Sequence, residues 1–169
     1  MTSEQRSTIS NFGLTHVIDG SSLQVEAFAA GGDAPRYMEA SADVEANGLI
    51  FRDRATGGVL AYVPGLARLD EQVCERLGAS DAVLLDGTFW RDDELAELAI
   101  SPRTARQMGH VPLSGPGGTL EALAGLTRPR KILVHVNNTN PVLVEDSPEL
   151  AAVQQAGIEV AYDGLEVEL

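Results

Sequence analysis

The chain has 169 residues, 44% of them hydrophobic and 5% aromatic, with a formal net charge of −13. That length suits one domain whose core is packed mainly from Ala, Leu and Val. The acidity excludes a nucleic-acid partner, which needs a basic stripe, and disfavours anionic membrane surfaces; it reads most simply as solubility.

Met1 to Ser10 is polar and lacks the apolar run of a signal peptide. No window approaches the roughly 18 apolar residues of a membrane span, so the cytoplasm is the expected compartment. Residues 1–13 are expected to be poorly ordered and residues 14–169 to form a single domain. Residues 14–18 are apolar and β-branched, and 22–28 alternate polar and apolar as a half-buried strand does. Gly31-Gly32-Asp33-Ala34-Pro35 predicts a loop. Residues 47–52 and 59–63 read as two strands joined through Thr56-Gly57-Gly58 as a hairpin, closed by Pro64-Gly65. Over 68–77 the spacing is helical, with Leu69, Val73 and Leu77 on one face. Cys74, the only cysteine, lies in that run; it cannot form an internal disulfide and reads as a small buried hydrophobe rather than a nucleophile.

Residues 82–85 form a continuous apolar run, as in a strand covered on both faces. A short acidic helix is predicted over 92–100 and another over 119–126, after Gly115-Pro116-Gly117-Gly118. Residues 132–136 predict a second buried strand. Ser147-Pro148-Glu149 starts a helix that Gly157 ends, and 158–169 offers one or two short final strands. Strands come first, then strands alternating with helices, which predicts a layered α/β sheet with helices on at least one face.

In such sheets, sites form beyond the C-terminal ends of strands. Three segments there carry polar chemistry. In Leu84-Leu85-Asp86-Gly87-Thr88-Phe89-Trp90 a carboxylate leaves an apolar strand, which is costly unless a metal, a cation or hydrogen bonds compensate. Asp86 is a metal ligand or general base on one reading and a turn-forming residue on the other. In Val134-His135-Val136-Asn137-Asn138-Thr139-Asn140-Pro141 the histidine sits in the predicted strand. His135 offers a ring nitrogen to a metal, or is a satisfied core histidine. Asn137, Asn138 and Asn140 suit turns, although a turn rarely needs three. His110 follows a glycine in a loop with access to a cleft. The Gly-rich stretch after it presents backbone N–H groups to an anion or makes an ordinary tight turn and helix cap. It lacks the Gly-Lys-Ser/Thr ending of a phosphate loop. One Asp and two His suit Zn²⁺, Fe²⁺ or Mn²⁺. The chain has no His-X-His-X-Asp-His cluster and no His-Glu-X-X-His, and His16 on an early strand reads as structural.

Asp86-Gly87-Thr88-Phe89-Trp90, Met108-Gly109-His110-Val111-Pro112, Ser114-Gly115-Pro116-Gly117-Gly118 and His135 to Pro141, in this order and spacing, resemble the PqqB family of pyrroloquinoline quinone (PQQ) biosynthesis proteins. Residues 161–169 are similar to that family's C-terminus, and the likeness covers about residues 47–169, more loosely from 14. The resemblance implies a metallo-β-lactamase fold, an αββα sandwich of two similar halves, with this chain as the C-terminal half. It places Asp86 at the metal-bridging aspartate, His135 at the last metal-ligand histidine and His110 near a catalytic histidine; Asn137 and Asn138 join His110 as candidate catalytic residues in the loop that shapes the site. The implied activity is a metal-dependent oxidation or hydroxylation of the peptide-derived PQQ precursor, with Fe or Zn as the divalent metal. The alternative is a non-catalytic carrier that moves PQQ or its precursor to the periplasm. Family members are about twice this long. Their N-terminal half supplies an Asp/His cluster and a Cys-rich zinc motif, neither of which occurs here, so the resemblance implies a metal site that a chain this short would leave incomplete. Implied partners are the precursor peptide or PQQ, and either a second copy of the chain or a complementary N-terminal half.

Overall fold

Among the described residues, alternating and apolar runs assemble into one seven-stranded sheet whose spatial order follows the sequence. The structure, a computed structural model, describes residues 15–31 and 47–169; the expected poorly ordered N-terminus and most of the 31–35 loop lie outside the described residues. Strands β1 (Thr15–Val17), β2 (Leu23–Ala29), β3 (Asn47–Asp53) and β4 (Val59–Val63) form an antiparallel meander. The β3–β4 hairpin turns at Gly57, whose φ of 82° is left-handed, as the Thr-Gly-Gly signal predicts. Gly48 lies under the Phe28 ring, where an added Cβ would stand 2.2 Å from the ring's Cζ. The Arg76 guanidinium lies over the same ring, 5.0 Å from its centroid.

From β4 onward the strands β5 (Ala82–Asp86), β6 (Arg130–Val134) and β7 (Ile158–Val160) run parallel. Helix α1 (Glu71–Gly78) connects β4 to β5 and starts where the Asp70 side chain accepts from the Val73 N–H. The β5–β6 connection carries α2 (Glu94–Glu97), a 3-10 turn at Arg106–Met108 and α3 (Thr119–Leu123). The β6–β7 connection carries a 3-10 turn at Pro141–Leu143 and α4 (Pro148–Gln155), capped by Ser147. Consecutive parallel strands joined by crossovers of one hand put every connecting helix on the same face. Val73 and Leu77 of α1, Leu123 of α3 and Val153 of α4 accordingly share one buried cluster with Ala61, Val63, Val83, Leu85 and Leu133 of the sheet. On the opposite face Leu60 and Leu84 are half-buried and Tyr62 is exposed. On that face β5 is covered at Ala82, with Ile132 of β6 buried beside the strand, and only Leu84 of β5 is half-buried.

Three element boundaries differ from expectation. The acidic helix of 92–100 shrinks to the four residues of α2 because Ala99 turns left-handed at φ 55°. The helix of 119–126 ends at Leu123. The strand expected over 132–136 ends at Val134, because His135 takes a φ of 54° that no strand accommodates. No helix among the described residues is long and apolar enough to cross a membrane.

Candidate metal centre

The parallel order aligns the C-terminal ends of β5 and β6, with Asp86 paired to Val134 in register. Asp86 closes β5, so the apolar strand delivers a carboxylate into the interior, where it is 1% exposed. Oδ2 accepts from the Leu66 N–H at 3.0 Å and lies 2.7 Å from His110 Nδ1. Oδ1 accepts from the Thr88 N–H at 3.1 Å and from its hydroxyl at 2.5 Å. Burial pushes the Asp86 carboxyl up, but the two imidazoles, His110 foremost, and the Thr88 hydroxyl outweigh it and hold the group at about 2. Among the described residues no Lys or Arg pairs with Asp86; its ionisable neighbours are the two histidines.

His110 arrives on the loop after the 3-10 turn, positioned by Gly109 at φ 86° and by its own N–H to Ala105 O at 3.0 Å. The buried Phe89 ring meets the His110 ring edge-on at 5.7 Å. His135 comes from the other strand end. Its left-handed backbone turns it out of the β6 ladder, and its ring stands 5.5 Å from that of His110. The sequence expectation of a histidine inside a buried strand is thus corrected: the His135 side chain is 56% exposed. The Asp86 carboxylate, 3.6 Å from His135 Nδ1, raises that imidazole above its ordinary value, more than partial burial lowers it. That distance exceeds hydrogen-bond length.

The group between them was not legible in the sequence. Thr88 Oγ1 lies 2.9 Å from His135 Nδ1, 3.1 Å from His135 O and 3.2 Å from His110 Nδ1, besides its bond to Asp86. A hydroxyl has one proton and two lone pairs, so Thr88 donates once and accepts from a ring N–H, which ties all three residues together. The available signal was a hydroxyl two residues after a strand-end aspartate.

One ligand atom each from Asp86, His110 and His135 lie within 4.8 Å of one another. Two imidazoles and a carboxylate are a donor set for Zn²⁺ or non-haem Fe²⁺ with positions left open. The residues fit such an ion: the carboxylate is buried without a fixed cation, and the cluster opens outward on the side of exposed His135. His16, exposed on β1, is not part of it.

The Asn-rich loop divides its work. Asn140, 1% exposed, donates from Nδ2 to Gly87 O at 2.8 Å and accepts from the Val142 N–H at 3.1 Å. It fastens the β6 loop to the β5 loop. Asn137 donates its backbone N–H to Thr88 O at 3.2 Å and its amide to Thr139 Oγ1 at 2.8 Å. Asn138 is exposed and makes no side-chain hydrogen bond among the described residues. The Gly-rich stretch resolves as a tight turn: the Gly117 N–H is taken by the Glu121 carboxylate at 2.7 Å, and Arg106 holds the Pro116 and Gly117 carbonyls.

A family model described as the beta-lactamase superfamily domain matches residues 3–136. The chain belongs to the beta-lactamase superfamily. It is 51% identical over 122 residues to coenzyme PQQ synthesis protein B of Pseudomonas putida strain W619, covering 72% of this chain and 40% of that protein. The corresponding protein of Cupriavidus necator is 56% identical over 122 residues, with the same coverage. Zn²⁺-bound PqqB from Methylobacterium extorquens superposes with a TM-score of 0.82 at 36% identity, over 94% of this chain and 54% of that one. The likeness to PqqB read from the four motifs holds, and so does the mixed α/β fold of the metallo-β-lactamase type. The chain spans 40% of the length of the curated relatives it matches.

Proposed function

We propose that the chain serves PQQ biosynthesis as the portion of a PqqB-like protein that holds a divalent metal, Fe or Zn, on Asp86, His110 and His135, for oxidation or hydroxylation of a peptide-derived precursor. The observation that carries this is the convergence of one buried carboxylate and two imidazoles within 4.8 Å at adjacent strand ends. Its support is the identity to coenzyme PQQ synthesis proteins and the fold shared with a Zn²⁺-bound PqqB. Bound there, such an ion supplies a Lewis-acid centre with open positions. The residues of the chain do the rest. Asp86 fixes a negative charge at the base of the site, Thr88 sets the ring orientation of His135, and His110 stands against Asp86 as the second imidazole of the set. The open side by His135 admits the substrate.

Metal content of the purified chain by mass spectrometry tests the reading. Stoichiometric Fe or Zn that is lost in His135→Ala supports it, and a folded chain that takes up neither metal overturns it. Heat on titrating PQQ into a metal-free chain would instead support the carrier reading.

The same proposal gives the helix-free face of the sheet a protein partner. Leu60, Leu84 and Tyr62 make that face apolar, and in the isolated chain the partner is a second copy, seated where a complementary half would lie in a longer protein. Light scattering checks this: a dimer is expected, and a monomer that unfolds cooperatively counts against it.

A further inference from the structure

Helix α2 inverts the usual logic of a surface helix. Its only buried residue is Glu94, 5% exposed, while the neighbouring Leu98 and Ile100 are 52% and 62% exposed. A helix of four residues has little stability of its own, and among the described residues no Lys, Arg or His pairs with that carboxylate. Burying an acid there is unfavourable unless both its oxygens are used. They are. Oε2 accepts from the Trp90 N–H at 2.7 Å, and Oε1 accepts from the Thr139 hydroxyl at 2.5 Å. Thr139 in turn accepts from the Asn137 amide at 2.8 Å. Trp90 belongs to the loop that carries Asp86 and Thr88; Thr139 and Asn137 belong to the loop that carries His135.

We infer that Glu94 is a positioning residue for the metal centre: its carboxylate clamps the two ligand-bearing loops together and so sets where His135 stands relative to Asp86. The inference rests on the proposed metal site. The carboxylate accepts from both neighbours as a charged group. A glutamine of the same shape keeps one acceptor oxygen: with that oxygen facing the Trp90 N–H, the Thr139 hydroxyl must accept instead of donate, and both charge-assisted bonds are lost. Asn140 fastens the same two loops at Gly87, so losing the clamp loosens the site rather than dispersing it.

The test compares Glu94→Gln, Thr139→Val and Thr139→Ser with the unaltered chain. Two quantities are read: the ring C–H signals of His135 in the metal-free chain by NMR, and Zn²⁺ affinity with the visible spectrum of the Co²⁺-loaded chain. Glu94→Gln and Thr139→Val are expected to displace the His135 signals, weaken Zn²⁺ binding about 10- to 100-fold and alter the Co²⁺ bands, as loss of a ligand-orienting partner does. Thr139→Ser, which keeps the hydroxyl, is expected to behave as the unaltered chain. Unchanged His135 signals in both disruptive variants, or no rescue by serine, overturns the inference. Should Glu94→Gln fail to fold, the valine and serine variants decide alone. A chain that takes up no metal defeats the proposed metal site, and the His135 ring signals then still decide the clamp.

Discussion

Asp86 and His135 sit in opposite environments although both belong to the candidate metal cluster, and their substitutions should separate accordingly. Asp86 is buried and accepts at both oxygens. Asp86→Asn turns an NH₂ group toward the Leu66 N–H or the Thr88 N–H, and a buried donor left unmatched costs about 1–3 kcal/mol. His135 is more than half exposed and holds a left-handed backbone. His135→Gly suits that φ and is expected to change stability by less than about 1 kcal/mol. Both are expected to abolish the metal binding proposed for the cluster. Denaturant melts with metal titrations of the two variants check the contrast, and equal destabilisation would contradict the assignment of roles. Cys74 offers a pH test. Burial, and then the Asp70 carboxylate, push its thiol above the ordinary cysteine value. An acid whose folded value is raised favours the protonated form, so its contribution to stability is present below about pH 8.5 and is lost as pH rises through the folded value. Alkylation by iodoacetamide at pH 8 should therefore run several-fold slower than for free cysteine and recover in denaturant; an equal rate in the folded chain would refute it. Asp86 and His135 stood out in the sequence because ionisable groups at the ends of apolar strands need a reason, and His110 because it follows a glycine in a loop with access to a cleft. Thr88 and Glu94 were not. Each is an ordinary residue of a turn or helix start, and each acquires its role from a partner 47 or 45 positions away.

At the scale of elements, legibility followed the strength of local signals. β4 was predicted residue for residue, and α4 began at Pro148 as Ser147-Pro148 requires. The helix of 92–100 was over-extended because its acidic and apolar residues are mostly good helix formers, with no Gly or Pro where the backbone turns. Ala99 makes that turn at φ 55°, and the Ile100 N–H then bonds to Leu95 O at 2.9 Å. Glycine is the usual residue for such a helix end, and an L side chain there costs about 1–2 kcal/mol, partly offset by the greater freedom of glycine when unfolded. Ala99→Gly is expected to stabilise the chain by about 0.5–1 kcal/mol without affecting metal affinity. A fall in melting temperature would show that the turn is not strained. β6 was over-extended for a related reason: Val136 continues the apolar pattern, but the ladder with β5 ends at the Asp86–Val134 pair, and Gly87 N–H takes the Val134 carbonyl at 2.8 Å.

Across the whole molecule, the candidate metal centre joins parts that are remote in sequence. Asp86 ends β5, His110 follows the 3-10 turn, and His135 follows β6, while the Leu66 N–H that holds Asp86 comes from the segment after β4. Unfolding must scatter all four, so an ion that binds this cluster binds the native state and stabilises it by mass action. At a free concentration one hundred times the dissociation constant the gain is about 2.7 kcal/mol. For a domain of this size each kcal/mol moves the melting temperature by roughly 2–4 °C, so saturating Zn²⁺ should raise it by about 5–11 °C. Protons compete for the same atoms. Because Asp86 raises the His135 imidazole, that ring stays protonated to higher pH than a free histidine, and the metal-induced shift should shrink as pH falls through that raised value. Without metal the sign reverses: the attraction between protonated His135 and Asp86 is complete below about pH 6.5 and is lost as pH rises through the raised value. Thermal melts with Zn²⁺ and with chelator across pH 5.5–8 should therefore diverge as pH increases. Curves that stay parallel would mean that His135 does not belong to the ion's coordination sphere.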